Sequence, residues 1–252
     1  MRYALVAISL LFLLTVQLSH AAYIITGIND TVSFNQNTSA SVVEIYKLSL
    51  SNTSVSQYSK DRLALNFTLS QWQTIIGSQL TVHIINPRGS VYHFVFDPGP
   101  VESSNNGKIA YMVVSYIATN VTTANQIGPR TFVYSFNPQV LNYQNAVSGE
   151  VLGLNTTLTV ITPVGSRITA VSPPPDYPPL GFTNNYTGVR SITWSSDELL
   201  AGFTLKYTTE ESLQGEVVDF FTQVYNYLGV GVYVIIVVVI AIFILYTYYR
   251  AR

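Results

Sequence analysis

A mainly β fold is predicted: a β-sandwich ectodomain with a membrane-proximal helix that continues into one C-terminal transmembrane helix. Three observations predict it. Short β-branched and aromatic runs alternate with Gly, Pro, Asn and Ser clusters from Tyr23 to Thr209. An amphipathic stripe follows, and a long uncharged apolar run comes after that. Roughly nine to eleven strands fit the β-rich part, the range of a sandwich rather than a single sheet.

The ends set the topology. Residues 1–22 combine Arg2, the apolar stretch Ala4–Val16 and the small-residue exit Ser19-His20-Ala21-Ala22, the pattern of a secretory signal peptide. Its rival is an uncleaved anchor, for which the stretch is short. At the other end, Phe220 to Tyr249 holds no charged side chain, and residues 228–248 form the expected span. About 20 residues at about 1.5 Å each cross a hydrocarbon core of about 30 Å. Tyr225, Tyr227 and Tyr233 mark one interface, and Tyr246, Tyr248 and Tyr249 the other. Arg250 and Arg252 hold residues 249–252 in the cytoplasm as a stub. A type I single-pass protein at the cell membrane is expected, with residues 23–209 outside and no cytoplasmic domain.

Composition narrows the environment. The chain has no cysteine, which excludes disulfides, thiolate nucleophiles and cysteine-ligated metals. Setting aside Arg2, Arg250 and Arg252 leaves nine Lys and Arg against thirteen Asp and Glu. These charges are scattered, so no nucleic-acid partner is expected. Seven Asn-X-Ser/Thr triplets, at Asn29, Asn37, Asn52, Asn66, Asn120, Asn155 and Asn185, predict N-linked glycans and an outward orientation there. Asn66 lies between Leu65 and Phe67, which suggest a strand near the core.

Along the ectodomain, "FTLKYT" places Phe203, Leu205 and Tyr207 on one strand face. "AYMVVSYIAT" (Ala110–Thr119) and "TFVYSF" (Thr131–Phe136) are apolar on both faces, as central strands are. "TVHIIN" and "VYHFVF" around Pro87–Ser90 predict a β-hairpin, and "LTVITPVGSRITAVS" predicts a second one turning at Pro163–Ser166. "RSITWSS" adds a strand bearing Trp194, which, like Trp72, is expected in the core. Ser70–Gln73 has capping-box spacing, so a short helix is predicted over Ser70–Gly77. Thr208 and Glu211 repeat that spacing. Leu213, Val217, Phe220 or Phe221 and Val224 then recur at three or four, predicting a helix over 210–227 that runs unbroken from about Glu211 to Tyr248. That stripe either packs on its own ectodomain or contacts a partner helix.

Candidate chemistry is sparse. Beyond His20 in the leader only His83 and His93 remain, one on each arm of the first predicted hairpin. Two structural histidines are expected there, since no H-E-x-x-H spacing occurs. No G-x-S-x-G elbow or phosphate-cradling glycine loop is present, so no enzyme, metal or cofactor is expected; a hydrolase-type site hidden among Ser, Asp and Glu is the remote alternative. "SPPPDYPPL" (Ser172–Leu180) offers Tyr177 as an aromatic contact on a stiff strip, or else is a rigid crossover.

The cysteine-free ectodomain, its sequons and the Ile/Val/Tyr span with a basic tail resemble archaeal, thermoacidophile-like single-pass cell-surface proteins of unknown function. "TPVGSRITAVSPPPD…RSITWSSDELLAGFTLKYTTEE" (Thr162–Glu211) resembles the last part of β-rich ectodomains preceding a span in such proteins. The resemblance implies a β-sandwich and an archaeal envelope, and carries over no functional residue. The expected function is a non-catalytic, glycosylated envelope component, surface-layer-associated or an accessory subunit, meeting membrane lipid and other envelope proteins. The alternative is an ectodomain that binds or senses a small molecule or glycan.

Overall fold

The computed structural model describes residues 23–64, 68–105, 107–146, 149–179, 188–196, 198–200, 202–210, 213–229 and 231–250. The predicted leader, Asn66, Asn185 and the last two residues lie outside the described residues. Within them the protein is mainly β. Strands β1 (Tyr23–Phe34) and β2 (Ala40–Leu50) lead to helices α1 (Val55–Leu63) and α2 (Leu69–Ile76). Next come β3 (Val91–Ser104), β4 (Gly107–Ala118), β5 (Thr122–Gln126), β6 (Thr131–Phe136), β7 (Gln144–Ala146) and β8 (Gly149–Val151). The series closes with β9 (Thr156–Ile161), β10 (Arg167–Ser172), β11 (Ser191–Trp194), β12 (Thr204–Glu210), α3 (Leu213–Leu228) and α4 (Gly231–Arg250).

A six-stranded sheet runs β11-β9-β1-β2-β4-β3, and a four-stranded sheet runs β10-β12-β6-β5. Period-two alternation builds the core. Ile28, Val32 and Phe34 of β1 and Val42, Tyr46, Leu48 and Leu50 of β2 are buried, with exposed or half-buried residues between them. The two sheets meet at aromatic rings: Phe34 stacks on Tyr207 of β12 at 5.5 Å and touches Phe136 of β6 at 5.8 Å. Phe203, Leu205 and Tyr207 are buried as their alternation predicts, and Trp72 and Trp194 are fully buried.

The edge strand β3 is shielded. Tyr58 and Arg62 of α1 donate to the carbonyls of Gly99 and Pro98 at 3.0 and 2.7 Å, which occupies part of a free edge. Gly99 permits the bulge there, because a Cβ at that position would sit 2.7 Å from the Tyr111 carbonyl oxygen. Helix α1 had no predicted counterpart. Helix α2 starts one residue earlier than expected, capped by Thr68 with Gln71 in a capping box rather than by Ser70.

Three further expectations are corrected. Residues 81–86 do not pair with β3 in a hairpin; β3 pairs with β4 instead. The donors that such a ladder would use are taken by side chains: His83 N–H donates to Glu44 Oε1 at 2.8 Å, and Ile84 N–H to the Tyr116 hydroxyl at 3.2 Å. The turn at Pro163–Ser166 exists, with Ser166 N–H donating to the Pro163 carbonyl. It carries the chain from β9 in one sheet to β10 in the other, so the two strands do not form a hairpin. Finally, the helix after β12 is not continuous. Gly229 adopts φ 56°, a left-handed residue that ends α3, and its N–H donates to the Tyr225 carbonyl.

Helix α4 is 20 residues long. Among the described residues no helix is long and apolar enough to cross a membrane. Several α4 side chains fall outside that description, and Gly231–Tyr249 as a sequence carries no charge.

Candidate functional site

The strongest constellation lies inside the large sheet. Asp30 and Glu44 are cross-strand partners in the β1–β2 register, so both carboxylates occupy the core-facing phase. Neither has accessible surface. Two like charges side by side in a core are unfavourable without compensation. The segment over residues 81–86 supplies it: His83 Nδ1 lies 3.2 Å from Asp30 Oδ2 and 3.5 Å from Glu44 Oε2. Burial alone would lower the His83 pKa, but hydrogen bonds to both carboxylates and their charge reverse this and push it up to about 10. Burial pushes Asp30 above the usual carboxylate range, with the bond to His83 opposing it.

Three tyrosines complete the cluster. Tyr116 donates to Glu44 Oε1 at 2.5 Å, and Tyr46 to Glu44 Oε2 at 2.6 Å. The Tyr46 hydroxyl also abuts the Thr81 carbonyl. Tyr143 donates to Asp30 Oδ2 at 2.7 Å, and its ring stacks on His83. All three phenols are pushed up by burial first and by the neighbouring carboxylates second, so they stay protonated donors. Asp30 Oδ1 is the exception, a buried oxygen without a hydrogen-bond partner.

The cluster borders a cavity of about 800 Å³. His83 and Tyr143 form part of its wall, with Ser78, Gln79, Thr81, Asn142, Gln144, Asn155 and Thr156 adding hydroxyl and amide groups. Ile25, Ile28, Val151, Leu152 and Leu154 provide apolar surface. His83 Nδ1 faces the carboxylates, so the imidazole meets the cavity wall with its orientation fixed from behind. The arrangement presents one oriented imidazole donor and a ring of neutral polar groups, a wall suited to an uncharged polar ligand.

The sequence-predicted residues are placed elsewhere. His93, expected like His83 to be a structural histidine, is exposed on β3 at φ 50°. Asn29, Asn37, Asn52, Asn120 and Asn155 are exposed, as glycan acceptors must be. Val217, Phe220 and Phe221 are exposed on α3, Val224 is half-buried, and the Leu213 side chain lies outside the description. The Tyr177 side chain is exposed, while its backbone exchanges hydrogen bonds with Thr193. Asp30 and Glu44 escaped notice, although each sits at an apolar phase of its strand, among Ile28 and Val32 and among Val42 and Tyr46.

No family model matches the chain, and no curated protein matches it. Among solved structures, the NMR structure of the folded domain of LppM from Mycobacterium tuberculosis aligns over 76% of this chain and 91% of that one. The identity is 10% and the TM-score 0.27, so the overlap carries no argument about fold or role. These comparisons do not support an archaeal origin.

Proposed function

We propose that the chain is a non-catalytic envelope protein, anchored by α4, whose β-rich ectodomain takes up a small uncharged polar molecule such as a saccharide. One observation carries this reading: the cavity beside His83, walled by Ser, Thr, Asn and Gln side chains and by an imidazole fixed from behind by two carboxylates. Its volume falls within the range of roughly 300–1,000 Å³ typical of small-molecule sites. Anchoring rests on the sequence, in which residues 228–248 are uncharged and predominantly apolar, about the number that crosses a hydrocarbon core of about 30 Å. Calorimetry on the full chain in detergent against a saccharide panel tests the reading. Binding that is lost in Asn142→Leu/Gln144→Leu supports it, and a panel without any binder sinks it.

A second reading, an accessory subunit, is favoured by a separate observation. Val217, Phe220 and Phe221 stand exposed on α3, a helix with no charged residue from Phe220 onward. Crosslinking in intact cells through α3 to a stoichiometric membrane partner would support it; recovery as a lone monomer would count against it.

A further inference from the structure

We propose that Asp30, Glu44 and His83 bind one divalent transition-metal ion of the zinc class. The reading goes beyond ligand uptake in the cavity and departs from the sequence expectation that no metal is held.

Geometry comes first. Donors on a tetrahedral ion with bonds of about 2.0–2.2 Å sit roughly 3.3–3.6 Å apart. His83 Nδ1 lies 3.2 Å from Asp30 Oδ2 and 3.5 Å from Glu44 Oε2. One donor atom from each of the three residues falls within 4.8 Å of the others. A ladder position fixes both carboxylates, since Asp30 and Glu44 are register partners on adjacent strands.

Charge is the second argument. Asp30 and Glu44 lie side by side with no accessible surface, an arrangement that is costly unless positive charge sits with both carboxylates. A divalent ion bound to neutral His83 offsets both. The third argument is the unpartnered Asp30 Oδ1, an oxygen with no accessible surface whose carboxylate is part of the cluster. An ion held through both Asp30 oxygens would give Oδ1 the partner it lacks, beside the Oδ2 that Tyr143 and His83 already meet.

The surroundings are those of a ligand shell. Tyr46, Tyr116 and the His83 N–H fix Glu44, and Tyr143 fixes Asp30, as hydrogen bonds orient metal-bound carboxylates. One imidazole and two carboxylates suit zinc or manganese better than copper(I) or an iron–sulfur cluster. His83 borders the cavity, so the three proposed ligands lie directly behind its wall.

The test uses the full chain, purified in detergent without a polyhistidine tag. Its metal content is measured by mass spectrometry, and the chelated protein is titrated with Zn²⁺ and Co²⁺. One ion per chain, a visible Co²⁺ spectrum of nitrogen and oxygen ligation, and a Tm that falls on chelation are expected. Asp30→Asn and Glu44→Gln keep shape and remove charge; each should weaken Zn²⁺ binding by about 100-fold or more while circular dichroism is unchanged. Wild-type protein that takes up neither ion overturns the proposal, as does Asp30→Asn binding with wild-type affinity. Should the variants fail to fold, the wild-type stoichiometry and Co²⁺ spectrum decide. Saccharide binding is scored separately, on chelated and metal-loaded protein, so failure of one reading leaves the other standing.

Discussion

The ring of Tyr143 lies flat on His83, centroids 4.8 Å apart and planes 8° from parallel, while its hydroxyl donates to Asp30 Oδ2 at 2.7 Å. One side chain thus covers the imidazole and holds a carboxylate that the imidazole also faces. The stack explains how a segment without a regular ladder, residues 81–86, is kept in register over the sheet. Ile85 N–H to the Val140 carbonyl and Asn142 N–H to the His83 carbonyl tie the same two segments together.

Tyr143→Phe separates the two roles. Phenylalanine keeps the stack and removes the donor to a buried carboxylate, so a loss of about 1–3 kcal/mol is expected. Denaturant unfolding checks it, with an unchanged slope showing that the fold is retained. A loss below a few tenths of a kcal/mol would mean that Asp30 does not depend on this bond.

Phe34 joins the sheets, touching Tyr207 and Phe136 from the opposite side of the core. Phe34→Ala removes both contacts and leaves a void, which costs about 3–5 kcal/mol. The unfolding free energy should fall by that amount in a single transition. Two resolved transitions would instead show that the sheets unfold independently.

Alkaline pH should destabilise the domain in a defined window. Tyr23 and Tyr58 are pushed from 10 up to about 12, chiefly by burial; Asp61 adds to the shift at Tyr23, and Arg62 opposes it at Tyr58. An unfolded chain releases these protons near pH 10, whereas the folded one keeps them. Their contribution to stability is therefore complete below about pH 10 and is lost as pH rises through about 12. Unfolding free energies across that window, with tyrosinate absorbance followed in parallel, check the sign. Tyr23→Phe should flatten the decline, and an identical slope in the variant would contradict the assignment.

Anchoring by α4 makes a separate prediction. Val239→Arg puts a charge near the middle of the apolar run, which costs about 2.5–3.5 kcal/mol of insertion free energy. The variant should shift from the membrane pellet to the soluble fraction on alkaline extraction. Full retention of the variant would argue that α4 is not the segment in the bilayer.

What the sequence discloses follows the range of the interactions. Alternation placed Phe203, Leu205 and Tyr207 inside, because a strand phase is a local property. The turn at Pro163–Ser166 was legible for the same reason, but the sheet that receives β10 is decided by distant partners. The false hairpin at residues 81–96 had sound local signals. It failed because Glu44 and Tyr116, remote in the chain, capture the donors of His83 and Ile84. Asp30 and Glu44 follow no motif, since the β1–β2 register alone makes them neighbours. A carboxylate at the apolar phase of a strand was the one available sign.

Asn155 links the surface chemistry to the cavity. It is an exposed sequon residue in the turn before β9, at φ 57°, and it borders the same cavity as His83 and Tyr143. A glycan attached there would begin at the cavity mouth, whereas glycans at Asn29, Asn37, Asn52 or Asn120 would not line it. Glycopeptide mapping should find Asn155 modified. Asn155→Gln should then raise the association and dissociation rates of a cavity ligand together and leave its affinity unchanged, because the sugar screens the opening without contacting the bound state. Equal association rates in wild type and variant would show that the glycan points away from the opening.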